Sequence, residues 1–276
     1  MRGLLRVIFP TVFGVLVVLC FAWPGAVAVA STFQPNAWAD AGIGPRRLGL
    51  IARGVWVATA AALLALPIGA GLACGLTHRR SGRMRGLTTW VCLCVLLSPP
   101  YIYAYGWSLP LWPEGLPTGD VLAPGLRAWL ATVGRAVWCL ATWSAPLSAF
   151  ILALGWRTHG RRAYGMAILD ADGLQAARAA VLPLMWPWLA VSFACTWILA
   201  ITEYSVCHLC LVQTWNTEIL AELQLLEMNG GGFALAWPLM LLVAVALAPL
   251  LIFRARLGAL LNDIARLEAD ALGASP

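Results

Sequence analysis

The feature that most constrains this chain is a succession of long apolar stretches, broken only by short segments that carry its charges. A helix needs about 20 apolar residues to cross the hydrocarbon core of a bilayer. Lipid offers the backbone no hydrogen bonds, and a helix satisfies its own. Six spans follow on that rule, at approximately 7–30, 50–77, 87–108, 128–156, 186–212 and 233–253. Composition agrees: 61% of the 276 residues are hydrophobic and 11% are charged, whereas a soluble domain is roughly a quarter charged. Disorder is excluded by the same figures, because its signature is low hydrophobicity. The chain therefore reads as one all-α transmembrane domain over 1–276, with a cytoplasmic loop at 157–185 and a cytoplasmic tail at 254–276.

The first span ends in Ala26-Val27-Ala28-Val29-Ala30-Ser31, which is similar to the small-residue cleavage site of a signal peptide. Its apolar run is long for such a signal, and we read it as a retained span; cleavage would leave five.

All 18 basic residues are arginine, and the net charge is +6. With the N-terminus inside, thirteen arginines face the cytoplasm: Arg2, Arg6, Arg79, Arg80, Arg83, Arg85, Arg157, Arg161, Arg162, Arg178, Arg254, Arg256 and Arg266. Five (Arg46, Arg47, Arg53, Arg127 and Arg135) lie on or near the other face. That bias places both termini in the cytoplasm. It also makes the basic balance a topology signal, and no nucleic-acid partner is expected. Lysine is absent. A Walker A loop needs one to reach the β/γ-phosphates, so this chain is not itself a P-loop ATPase, and lysine Schiff-base chemistry is excluded as well.

The outer connections at 31–48 and 110–125 are rich in proline and glycine. Residues 215–228 differ. Ile219, Leu220, Leu223 and Leu226 recur at helical spacing among Glu218, Glu222 and Glu227, before Gly230-Gly231-Gly232. This predicts an amphipathic helix, either a surface-lying connector or a docking element. Residues 254–270 repeat the pattern with Leu257, Leu260, Leu261, Ile264 and Leu267.

Within the spans, Glu203 is the most unusual residue. A charged side chain at mid-span costs about 2.5–3.5 kcal/mol on insertion scales and normally faces a wet cavity or a partner. Its reading is divided between a pathway residue and an interfacial hydrogen-bonding group. Tyr101, Tyr103 and Tyr105 follow Pro99-Pro100, which removes two backbone donors and predicts a kink or break. They form either a polar pathway lining or an aromatic belt. Most cysteines lie in apolar runs and behave as small hydrophobes. Cys207 and Cys210 have chelate spacing, but no second Cys/His pair is near in sequence to complete a four-ligand site. No metal site, no cofactor and no catalytic constellation is expected in this chain.

The 157–185 loop is too long for a hairpin turn and too apolar for a floppy linker. Residues 161–169 suit one short helix, Asp170-Ala171-Asp172-Gly173 breaks it, and Asp172 is a suitable N-cap for a second helix through Ala180. Gly173, Ala176, Ala177 and Ala180 share one side of that helix. Pro183 and Pro187 mark entry to the fifth span.

Ala167-Ile168-Leu169-Asp170-Ala171-Asp172-Gly173, followed ten residues later by Pro183, resembles the EAA loop of binding-protein-dependent ABC importer permeases. The segment from Ser98 to Trp107 looks like the Pro-Pro-Tyr segment of the iron(III)-type and thiamine-type branch. Glu203-Tyr204-Ser205-Val206, with Thr214-Trp215-Asn216-Thr217-Glu218-Ile219, looks like that branch's outer end of span 5 and following loop. The resemblance runs from about residue 50 to 253. Three departures stand out. Tyr164, Gly165 and Met166 occupy the Glu-Ala-Ala positions and Asp170 the glycine; Cys207-His208 replaces Pro-Asp; and the chain is one half of what is often a fused pair.

The resemblance implies a type I ABC importer permease fold in a bacterial inner membrane. It also implies a non-catalytic role and translocation of a small solute such as iron(III) or a related cation or cofactor. Tyr101, Tyr103, Glu203 and Tyr204 would line the pathway. Asp170, Asp172, Gly173, Ala176, Ala177, Ala180 and Pro183 would form the ATPase-coupling loop. Implied partners are a second permease subunit or second copy, a cytoplasmic ATP-binding subunit that hydrolyses ATP, and an extracytoplasmic solute-binding protein. The competing reading is an autonomous secondary transporter using Glu203 for ion coupling. Such transporters commonly contain internal repeats, and none is evident here.

Overall fold

A computed structural model of the chain describes residues 18, 20, 23–33, 38, 42–78, 82–108, 124–169, 172–225, 232–248 and 251. Among them every regular element is helical. After α1 (Trp23–Ser31) comes α2 (Pro45–Thr77), 33 residues long. It starts on a proline, whose missing N–H is one that a helix start leaves unpaired anyway.

The next span is broken. Helices α3 (Gly82–Leu97) and α4 (Pro100–Ser108) meet at 101°. Pro99 and Pro100 account for the bend, since neither offers an N–H to the turn before it. The polar groups at the corner are repaired locally. Ser98 Oγ donates to Val95 O at 2.8 Å, and Trp143 Nε1 reaches across to Ser98 O at 3.1 Å.

The chain is then helical from 124 to 167 through α5 (Pro124–Trp129), α6 (Arg135–Gly155) and α7 (Arg161–Ala167). Two π-helical turns, Leu130–Gly134 and Trp156–Gly160, join them. The helix expected as a separate element over 161–169 thus continues the preceding span. Polar residues at 157–159 look like a span end, but none of them breaks a helix. Thr158 Oγ1 folds back onto Leu154 O at 3.0 Å, and Arg157 Nη2 donates to Leu76 O at 2.8 Å.

Helix α8 (Gly173–Ala176) likewise runs through a π turn, Ala177–Val181, into α9 (Leu182–Thr202). The widened turn lies just before Pro183, where the i→i−4 ladder loses a donor. The expected fifth span reached 212; the structure ends α9 at Thr202, and α10 (Ser205–Leu209), α11 (Trp215–Leu225), α12 (Gly232–Leu235) and α13 (Trp237–Ala248) follow.

Three helices, Pro45–Thr77, Leu130–Ala167 and Ala177–Thr202, are long and apolar enough to cross a membrane, four if the bent pair is one span. Trp237–Ala248 is a shorter apolar helix. Most of the span expected at 7–30, the 110–125 connection apart from its last residues, and the 254–276 tail lie outside the described residues.

Helices α2, α6 and α9 pack against one another and form the centre. Lipid tails are as apolar as leucine, so close backbone approach through small residues holds membrane helices together. Ala58, Ala61 and Ala65 of α2 are buried with Ala136, Cys139, Leu140 and Ala141 of α6. Towards the other end Ala73, Leu76, Ala149, Leu152 and Ala153 pack around Trp188 of α9. Gly155 admits that indole: a Cβ there would lie 2.4 Å from Trp188 Cγ.

Candidate translocation and coupling sites

Backbone unwinding positions Glu203. Beyond Thr202 the residue is extended, with φ −80° and ψ 120°. Its Oε1 accepts the Ser205 backbone N–H at 2.8 Å and also the Ser205 hydroxyl. Asn216 Nδ2 donates to Ile201 O at 2.5 Å, satisfying a carbonyl that the broken helix would otherwise leave open. Glu203 is half-buried and borders a cavity of about 20 Å³ with Gly54 and Val57 of α2, Cys207, Thr214 and Leu239. That volume holds about one water molecule. The carboxylate therefore stands at a helix break with donors of its own, and its desolvation cost falls accordingly.

The aromatic candidates are spread out. Tyr101 and Tyr105 are exposed. Tyr103 is half-buried, edge-on to Trp107 at 6.4 Å, and Trp107 is edge-on to Trp138 at 5.6 Å. Helix α10 packs on α4, which brings the Glu203 break beside the tyrosine-bearing segment. Neither Tyr101 nor Tyr103 is among the described residues lining the small cavity. Tyr204 lines a different, shallow groove of about 270 Å³ with Asn216, Ile219, Leu223 and Leu239.

Arg135 is the residue that sequence reasoning missed. Grouped with outer-face arginines, it is in fact 3% exposed at the start of α6. Its Nε donates to Cys210 Sγ at 3.4 Å and its Nη2 to Leu209 O at 3.1 Å. It thereby ties the end of α10 to the central helix. The available signal was an arginine several residues inside an apolar run. Cys139, Cys207 and Cys210 are buried nearby, each as a free thiol. Among the described residues no group of three or more His, Cys, Asp or Glu could hold a metal ion.

The amphipathic helix α11 is docked on the start of α2. Arg46 makes a two-pronged pair with Glu218 at 2.5 and 3.0 Å, and Arg47 Nη2 meets Glu222 at 2.7 Å. The Arg47 guanidinium also lies 5.5 Å from the Trp215 ring centroid. One turn separates Glu218 from Glu222 on α11, so adjacent arginines at the start of α2 meet successive turns.

At the opposite end, α7 and the Ala177–Val181 turn pack together as a hairpin. Asp172 and Pro183 are exposed, while Gly173, Ala177 and Ala180 are half-buried. A Cβ on Gly173 would lie 3.2 Å from Tyr164 Oη. Asp170 and the Ala176 side chain lie outside the described residues. The hairpin also carries exposed apolar side chains that are not among the expected coupling residues: Met166 is 69% exposed and Leu169 82%. Their signal was a run of apolar residues directly before the Asp170 break.

The sequence matches no protein-family model and no curated protein. Solved structures are more informative. The chain superposes on a chain from the crystal structure of an amino acid ABC transporter with histidines, with TM-score 0.55 and 12% identity, covering 77% of this chain and 94% of that one. It also superposes on a chain from a bacterial ABC transporter involved in the import of the acidic polysaccharide alginate, with TM-score 0.55 and 15% identity, covering 91% and 93%. The all-helical fold of these ABC transporter chains is the fold found here.

Proposed function

We propose that this chain is a non-catalytic membrane-spanning permease subunit of an ATP-driven ABC importer. The observation that carries the reading is the shared fold, which extends over more than nine-tenths of both matched ABC transporter chains. The hairpin at 161–181, with its apolar tip, suits a docking element in the groove of a soluble partner. The partners of this reading are a second permease subunit or second copy, a cytoplasmic ATP-binding subunit and an extracytoplasmic solute-binding protein. The arginine bias supports a six-span topology with both termini in the cytoplasm of a bacterium, the protein lying in the inner membrane. Tyr101, Tyr103, Glu203 and Tyr204 are the proposed pathway residues. The resemblance of the Ser98–Trp107 and Glu203–Val206 segments supports iron(III) or a related cation or cofactor as the solute, and a carboxylate on the path suits a cation. The alternative is an autonomous secondary transporter using Glu203 for ion coupling; such transporters commonly contain internal repeats, and none is evident in this sequence.

Purification from the native membrane in mild detergent tests the reading. An ATP-binding subunit should accompany the chain, and the separated chain should bind no ATP. Micromolar nucleotide binding by the chain alone, or uptake sustained by an ion gradient without any ATPase, would overturn it.

A further inference from the structure

A large cavity lies remote from Glu203. It has a volume of about 950 Å³ and lies where the end of α2, the start of α3, the Trp156–Gly160 turn and the start of α9 diverge. Its lining divides along the helices. His78, Arg85, Arg157 and Arg161 stand near the helix ends and form a basic mouth, and no acidic side chain is among the described residues that line it. Ala70, Leu152, Met185 and Leu189, a turn or more along the helices, form an apolar wall. Arg157 donates one N–H to Leu76 O, out of the five that a guanidinium carries.

A soluble anion would use the basic mouth alone and leave the apolar wall uncovered. The wall and the volume suit an amphiphile, since ligand pockets of about 300–1,000 Å³ hold molecules of that size. Basic pockets between membrane helices on the cytoplasmic side are suited to anionic lipid head groups. The helix ends that build this mouth belong to the arginine-rich side of the chain. We propose that the cavity binds an anionic phospholipid, with its phosphate among Arg85, Arg157 and Arg161 and its acyl chains along the Ala70–Leu189 wall. The site goes beyond the importer reading and does not depend on ATP coupling.

The test uses the full-length chain, delipidated in mild detergent and titrated with phosphatidylglycerol, phosphatidylcholine or inorganic phosphate by native mass spectrometry. Phosphatidylglycerol should bind at least about tenfold more tightly than phosphatidylcholine. The Arg85→Gln/Arg161→Gln double variant should erase most of that preference while keeping the parent's helical circular dichroism. Leu189→Trp keeps every charge and adds bulk to the apolar wall. It should weaken phosphatidylglycerol by a similar factor, which keeps the test decisive if the double variant misfolds. Equal binding of the two lipids, parent-level phosphatidylglycerol binding by either folded variant, or phosphate binding as tight as the lipid's would each overturn the site.

Discussion

Gly69 of α2 and Ser148 of α6 approach so closely that a Cβ on the glycine would lie 2.4 Å from the serine Cβ, and 3.0 Å from the Ala145 carbonyl oxygen. Backbone faces backbone there, so a flexible side chain cannot move aside to make room. Gly69→Ala should destabilise the folded chain by about 1–3 kcal/mol, the range for overpacking a tight contact. Gly71→Ala, with nothing within 4 Å of its Cβ position, is the control and should melt at or slightly above the parent, since alanine favours a helix interior over glycine. Thermal unfolding of both in one detergent checks the pair; equal melting would remove the close crossing from the account.

Leu211 is the one described non-glycine residue with positive φ, at 57°, in the turn after α10. A left-handed conformation costs an L-residue about 1–2 kcal/mol, and glycine is free of that cost. The leucine side chain is 78% exposed and forfeits little packing if removed. Leu211→Gly should therefore raise thermal stability slightly, net of glycine's own entropy in the unfolded chain. A lower melting temperature would mean that the side chain has packing partners in the assembled membrane complex.

Glu203→Gln retains an acceptor for the Ser205 N–H but loses the charge. The variant should insert and assemble at parent levels and transport several-fold more slowly if the carboxylate faces the solute. Uptake into proteoliposomes, normalised to assembled complex, decides this. Unchanged uptake would leave Glu203 as the group that closes the end of α9 and starts α10.

Ala177→Arg places a long charged side chain in the hairpin where α7 packs on the 177–181 turn, and Leu169→Arg places one at the exposed tip. Both should loosen the ATP-binding subunit and lower transport while the helices persist. Co-purification of the ATPase and uptake are the two readouts. Retention of both at parent level in both variants would remove the coupling role from this hairpin.

Some of these features were legible in the sequence and others were not, for physical reasons. Pro99-Pro100 announces the bend between α3 and α4, because proline acts on its own turn. Glu203 announces itself by charge. The break at Thr202 does not, since Glu-Tyr-Ser contains no glycine or proline, and the donor that satisfies the open Ile201 carbonyl comes from Asn216, 15 residues further along the chain. The Arg46–Glu218 pair spans 172 positions and depends wholly on packing. Arg135, inside the 128–156 run, reads from sequence as a residue of the outer face because charge normally seeks the interface; the Leu209 carbonyl and the Cys210 thiol beside it help to hold it inside. The continuity of α6 into α7 was hidden by Arg157, Thr158 and His159, which resemble the end of a span yet satisfy themselves along the helix or on α2.

That continuity has a mechanical consequence. Thirty-eight helical residues, Leu130–Ala167, make a rod about 57 Å long at about 1.5 Å per residue, against a hydrocarbon core of about 30 Å. The excess makes it a lever arm. A sideways load at the Ala167 end is delivered as torque towards the Arg135 end, and the π turns at 130–134 and 156–160, with Pro146 between them, are the points where such a beam would yield.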